Sequence, residues 1–235
     1  LGTALRSGEG DPTVLLQTYG IDVFLVTLTR ALEKRSVDLF TPETMAQVWA
    51  VYTSGTNNPY AERIVTELSK SGAAWLPEAA LEVLLGMMLH DRRDDLSHQV
   101  IHQARERSDF LTVLVGAIRE SERSDSESLA LIAQVIAIGD LTLQDALDVY
   151  LGLLAEWDWR KEALEIMEQV ARTMQQHPAL VVQPEIVWNL LAMATEMKEE
   201  FITRVALRRL TADLEPLDDA LLIEDLQRLS TMITW

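Results

Sequence analysis

The chain has 235 residues, 48% of them hydrophobic, no cysteine and a formal net charge of −17. That length and apolar fraction suffice for a sizeable core in one or two domains, and the absent thiols exclude a disulfide framework, thiolate zinc sites and cysteine nucleophiles. The carboxylate excess disfavours broad contact with phosphate backbones or anionic lipid, which runs on lysine and arginine, so nucleic acid is not an expected partner.

Taken in order, Leu1 to Pro12 place Gly2, Gly8, Gly10 and Pro12 among polar residues and read as a loosely held lead-in over 1–12. A single helical domain is expected over 13–235. Because the sequence opens on Leu1 rather than methionine, it reads as a piece of a longer chain, from which any targeting signal could have been removed. An intracellular setting is the default expectation, cytoplasmic or organellar.

Ile21, Phe24, Leu25, Leu28 and Leu32 fall at the three- and four-residue spacing of one helical face, and Lys34-Arg35-Ser36 mark its exit. Thr41-Pro42-Glu43 opens the next helix, since proline suits a first turn, with Met45, Val48, Trp49 and Tyr52 inward. Gly55 to Pro59 is the clearest turn. Tyr60, Ile64 and Leu68 form a further helix before Ser71-Gly72. Leu76-Pro77-Glu78 starts one that carries Leu81, Leu84, Leu85 and Met88 and closes on Asp91 to Asp95. Shorter helices follow at Leu96, Val100 and Ala104 and at Phe110, Val113, Leu114 and Ala117.

The polar run Glu120 to Ser128 reads as an exposed longer loop. Leu129 to Ile138 is apolar on nearly every side, the pattern of a helix sandwiched between neighbours. From Leu143 a clear amphipathic face returns, with Thr142 and Asp145 placed to cap free amides and complement the helix dipole. Ala163, Ile166, Met167, Val170, Ala171 and Met174 repeat it until His177-Pro178. Gln183-Pro184-Glu185 leads into Ile186, Leu190, Met193, Ala194 and Met197, and Phe201 to Leu214 with Leu221 to Ile233 supply a last pair. No alternating strand pattern stands out, so an all-α fold is expected. No window reaches the roughly 18 consecutive apolar residues of a membrane span.

Pro-Glu opens helices at Pro42, Pro77 and Pro184, with intermediate copies near Asp109 and Leu143 and a last near Asp219. A period in this range signals stacked helix pairs. Ala163 to Val170 followed by Gln183 to Leu191 resembles a pentatricopeptide repeat end running into the next start, and the rhythm is similar to tetratricopeptide arrays. The resemblance implies an α-solenoid of antiparallel helix pairs, with Gln183 to Met197 lying against both adjoining hairpins; a compact multi-helix bundle is the alternative.

Chemistry-bearing patterns are few. Asp94, His98, His102 and Glu106 could share one helical face, but this is not the HExxH arrangement, and Arg105 and Arg107 would oppose a cation. His90 and His177 sit at helix ends, where contact with terminal carbonyls is the ordinary role. No Walker A, GxGxxG or GxSxG string occurs, so neither an enzyme nor a cofactor or metal is expected. Trp49 and Trp188 lie on apolar stripes as core residues, while Trp157 and Trp159 flank a turn, as wedges between helix pairs or as anchors for a partner. Five residues after each Pro-Glu proline stand Gln47, Glu82 and Asn189, positions that the resemblance implies would line a ligand-facing surface.

The expected function is a non-enzymatic scaffold that holds a protein partner, for instance a basic segment, within a larger assembly. A pentatricopeptide-like segment binding single-stranded RNA in an organelle is the alternative.

Overall fold

The computed structural model describes Leu16, residues 20–156 and residues 164–214. Among the described residues there are eleven α-helices and no strand, as the periodicity predicts. None of these helices is long and apolar enough to cross a membrane. Between Arg123 and Ser124 the chain divides into two compact units.

The first unit holds α1 (Ile21–Lys34), α2 (Pro42–Thr53), α3 (Pro59–Ser71), α4 (Glu78–His90), α5 (Asp94–Ala104) and α6 (Phe110–Glu120). Local chemistry sets their starts. The Thr41 hydroxyl accepts from the Thr44 amide at 3.3 Å, and the Asn58 side-chain oxygen Oδ1 accepts from the amides of Tyr60 and Ala61 at 3.0 and 3.3 Å. Both satisfy amides that a first turn leaves without partners. Buried Thr27 and Thr29 of α1 each donate to the carbonyl four residues back at 2.8 Å, which removes the cost of an unmet hydroxyl.

Extensive packing in this unit joins helices that follow one another or stand two apart: α2 with α3, α4 with α5, α1 with α3, α2 with α4, α3 with α5 and α4 with α6. Two rows result, α1-α3-α5 and α2-α4-α6. Between them lie Phe24, Leu25, Met45, Ile64, Leu68, Leu81, Leu84, Leu85 and Met88, all fully buried. Each such side chain contributes about 1.5–3 kcal/mol of burial.

The second unit holds α7 (Asp125–Ala137), α8 (Leu143–Glu156), α9 (Leu164–Gln176), α10 (Pro184–Met197) and α11 (Glu200–Leu214). Here α7 packs on α8 and α9, α8 on α9, and α11 on both α9 and α10. Thr142 and Asp145 form the expected cap: the Thr142 hydroxyl accepts from the Asp145 amide at 3.1 Å, and the Asp145 carboxylate accepts from the Thr142 amide at 3.0 Å.

Several expectations need correction. Glu120 to Ser128 is not a long loop. Helix α6 runs through Glu120, and Ser124 caps α7 in a reciprocal pair with Glu127, leaving a turn in which Ser121 is 2% exposed. Nor is α7 enclosed on every side. It buries Leu131, Ile132 and Val135, while Ile138 just after it is 56% exposed; the enclosed helix is α8, which buries Ala146, Leu147, Val149, Tyr150, Leu151, Leu153 and Leu154. Trp49 is buried as expected, but Trp188 is 43% exposed. Val187, Leu190 and Ala194 form the buried face of α10, and Trp188 falls about 100° off its first residue. Among the described residues α10 packs extensively on α11 alone, and it is α11 that continues onto α9. The proposed lead-in over 1–12, the final segment Leu221 to Ile233 and the turn holding Trp157 and Trp159 lie outside the described residues.

A polar regularity accompanies the helical one. Arg107 donates to the carbonyls of Ala73 and Leu76, 34 and 31 residues earlier, at 2.7 and 2.8 Å. Arg123 donates to the Leu89 carbonyl, 34 residues earlier, at 2.9 Å. In the second unit Arg209 donates to Pro178 and Leu180, 31 and 29 residues earlier, at 2.7 and 2.9 Å. Each arginine thus satisfies backbone acceptors of a connector or a helix's last turn roughly one helix pair before its own.

Candidate functional site

The row α2-α4-α6 carries a surface groove. Its geometry starts from two glycines within helices, a residue type that costs about 0.5–1 kcal/mol there unless a close approach needs it. A Cβ at Gly86 of α4 would stand 3.2 Å from the Glu120 Cβ and 3.4 Å from the Ala117 carbonyl of α6. The two backbones can therefore approach closely, and α4 and α6 make extensive contact.

Beside this crossing the helix ends are held by hydrogen bonds. The Trp49 indole donates to Asp91 Oδ2 at 2.7 Å, across 42 residues. Trp49 also leans on Tyr52 with ring centres 5.2 Å apart, and the Arg93 guanidinium lies over Tyr52 at 5.3 Å. His90 Nδ1 is 3.2 Å from the Ser121 carbonyl. A carbonyl only accepts, so Nδ1 carries the proton and, in the neutral ring, Nε2 is left as an acceptor.

Between these ends opens a cavity of about 300 Å³. Trp49, Val83, Gly86 and Met87 give it an apolar lining, and His90, Asp91, Glu120 and Glu122 its polar lining. The cations nearby are engaged. Arg119 pairs with Glu120 at 3.0 Å and with Glu82 at 3.7 Å, Arg93 with Asp95 at 3.6 Å and Arg123 with Asp94 at 2.8 Å. The groove offers an apolar floor and a rim of acceptors.

The residues singled out by register are spread over both units. Gln47 is exposed on α2, and Asn189 is exposed on α10 of the second unit. Glu82 is half-buried on α4, its carboxyl turned onto Gly116 of α6 and paired with Arg119. Trp157 and Trp159 lie outside the described residues. On the His98 and His102 face Asp94 pairs with Arg123, Glu106 with Arg105 at 3.3 Å, and His102 Nδ1 stands 3.3 Å from Arg105, while His98 Nε2 is buried with no hydrogen-bond partner among the described residues. Among the described residues no three histidine, aspartate or glutamate side chains gather where they could hold a metal ion.

Reasoning from sequence missed Asp91, Glu122 and the two glycines. Gly86 and Gly116 inside helical patterns were the available signal, because an isolated helix glycine marks a close neighbour.

Two other polar sites complete the electrostatics. Asp109 accepts from Arg107 at 2.7 and 2.6 Å, and this hydrogen bond holds its carboxyl below the ordinary range, overcoming the opposing effect of burial. In the second unit burial pushes the Asp125 carboxyl up, with the Glu165 charge adding to it. Asp125 Oδ2 and the Ser128 hydroxyl are both buried with no hydrogen-bond partner among the described residues. A second groove, of about 290 Å³, lies between α9 and α11, with Met174, Val205, Arg208, Arg209 and Asp213 among its lining residues. Its Arg209 is already committed to Asp213 and to the two connector carbonyls.

Compared with known proteins, the chain matches no family model, no curated sequence and no solved structure.

Proposed function

We propose that this chain is a helical-repeat scaffold, an α-solenoid of antiparallel helix pairs, that binds a protein partner rather than catalysing a reaction. The observation that carries the reading is the α2-α4-α6 groove, where an apolar floor of Val83, Gly86 and Met87 meets a rim of Asp91, Glu120 and Glu122. An amphipathic basic segment complements such a surface, and the net charge of −17 would speed its encounter. The repeat reading draws on the one-apart and two-apart packing of α1 to α6 and on arginine ties that reach back about one helix pair. These helices are the ones that the sequence opens at Pro42, Pro77 and near Asp109, the row that repeat families turn toward a ligand.

The test uses immobilised full chain and a Met87→Glu variant that places a charge on the groove floor. Proteins recovered from lysate by the wild type and lost by the variant, with both equally folded by circular dichroism, are the expected result. Recovery of no protein, together with a shift of unstructured RNA at physiological salt, would overturn the proposal.

A further inference from the structure

The groove's polar atoms share a chemistry that narrows what it can hold. Asp91 has given one oxygen to the Trp49 indole and keeps the other. His90, with Nδ1 turned to the Ser121 carbonyl, offers Nε2. Glu120 and Glu122 add carboxylates, and Glu122 is exposed. The one indole donor in the lining is already used. What remains is a rim of acceptors over an apolar floor. An apolar ligand would leave those acceptors without donors, and a carboxylate or phosphate would meet like charge.

We infer that the groove seats a single arginine side chain from an extended segment of a partner protein; this rests on the partner-binding reading above. The methylene stem would lie along Val83 and Met87 over Gly86, as long cationic side chains do on apolar surface. The guanidinium would then meet Asp91, Glu122 and, in the neutral ring, the His90 Nε2. Its five N–H donors in a planar fork can serve several acceptors at once, whereas a lysine ammonium presents three from one point. The size agrees, since about 300 Å³ is at the lower end of ligand cavities and suits one long side chain rather than a folded motif. The cations around it do not block entry, because Arg93, Arg119 and Arg123 are held by Asp95, by Glu82 with Glu120, and by Asp94.

The Trp49 indole proton, bonded to the carboxylate that would receive the guanidinium, is a built-in reporter. In the full chain labelled with nitrogen-15, its resonance is assigned by its loss in Trp49→Phe, and acetyl-Gly-Arg-Gly-amide is titrated at low salt. The expected result is a saturable shift of that resonance with the arginine peptide and weaker binding of the lysine peptide. The citrulline peptide, isosteric but uncharged, should give no shift. Glu122→Gln and Asp91→Asn, which keeps an acceptor for the indole, should each weaken the arginine peptide by about fivefold, an effect that shrinks in high salt.

Equal affinity for arginine and citrulline, equal affinity for arginine and lysine, or a shift confined to resonances away from Trp49 would each overturn the arginine seat. In any of those cases a partner still captured by the wild type and lost by Met87→Glu leaves the scaffold reading standing. Loss of both results removes both.

Discussion

The carboxyl group of Glu82 rests on the bare backbone of Gly116, so that a Cβ built on that glycine would stand 2.3 Å from the Glu82 Cδ. Gly86, across the same helix crossing, is limited differently: its Cβ would meet the Glu120 Cβ at 3.2 Å and the Ala117 carbonyl at 3.4 Å. A carboxylate at the end of a flexible side chain can swing aside, whereas a backbone cannot. Gly116→Ala should therefore change stability by less than about 1 kcal/mol, since alanine's better helix propensity offsets the displaced Glu82. Gly86→Val should cost about 2–3 kcal/mol, the usual cost of forcing volume into a packed contact. Urea denaturation of the two variants, compared by midpoint at equal slope, checks the contrast.

Arg107 is held in the first unit by two connector carbonyls and by Asp109. Arg107→Met should cost about 2–3 kcal/mol, the worth of charge-assisted hydrogen bonds whose acceptors are left without donors. Arg107→Lys should restore little of it, lacking the planar fork. The Asp109 carboxyl sits below its ordinary range when folded, so its contribution is fully present above about pH 4 and is lost as pH falls through the folded value. Thermal midpoints of the wild type and Asp109→Asn should differ at neutral pH and converge in acid.

At the start of α7 the sign is reversed. Burial and then the Glu165 charge push the Asp125 carboxyl upward, so the folded state favours its protonated form. That contribution is present below the unfolded value and is lost as pH rises through the folded one. Asp125→Asn should raise the melting temperature at pH 7, with the gain vanishing under acid. Ser128, whose buried hydroxyl has no partner among the described residues, should tolerate alanine with a gain of about 1 kcal/mol. Differential scanning calorimetry across pH reads both.

Helix ends offer an independent check. Lys198 closes α10 at φ 61°, a left-handed conformation that costs a side-chain-bearing residue about 1–2 kcal/mol. Lys198→Gly should stabilise the second unit by about 0.5–1 kcal/mol. Gly139, at φ 82° with nothing within 4 Å of a built Cβ, should lose a similar amount on change to alanine, through backbone conformation alone. Chemical denaturation of each variant should give opposite signs.

Helix starts were the most legible part of the sequence, because a proline or a threonine acts locally: Pro42, Pro184 and the Thr142–Asp145 pair sit where their residue types predict. Burial around a helix was less legible. Periodicity gives the width of an apolar face but not which neighbour covers it, so the all-round apolar run of α7 proved one-sided while α8 was enclosed. Trp188 went astray for the same reason. The turn at Ser121 to Ser124 was hidden by polarity, although the Ser124 and Glu127 spacing is a helix-start signature in its own right. The groove was least legible of all. Its lining comes from three helices and the turns that follow two of them, and the packing of α4 on both α2 and α6 brings Trp49, Asp91 and Glu122 to one place.

The backward reach of Arg107 and Arg123 bears on how the chain could be shortened. Cutting the polypeptide ahead of Arg107 would strip donors from Ala73 and Leu76, and cutting ahead of Arg123 would do the same to Leu89. A trimmed fragment thus inherits orphaned carbonyls on the segment it keeps, and its frayed edge lies inside the last helix pair retained rather than at the cut.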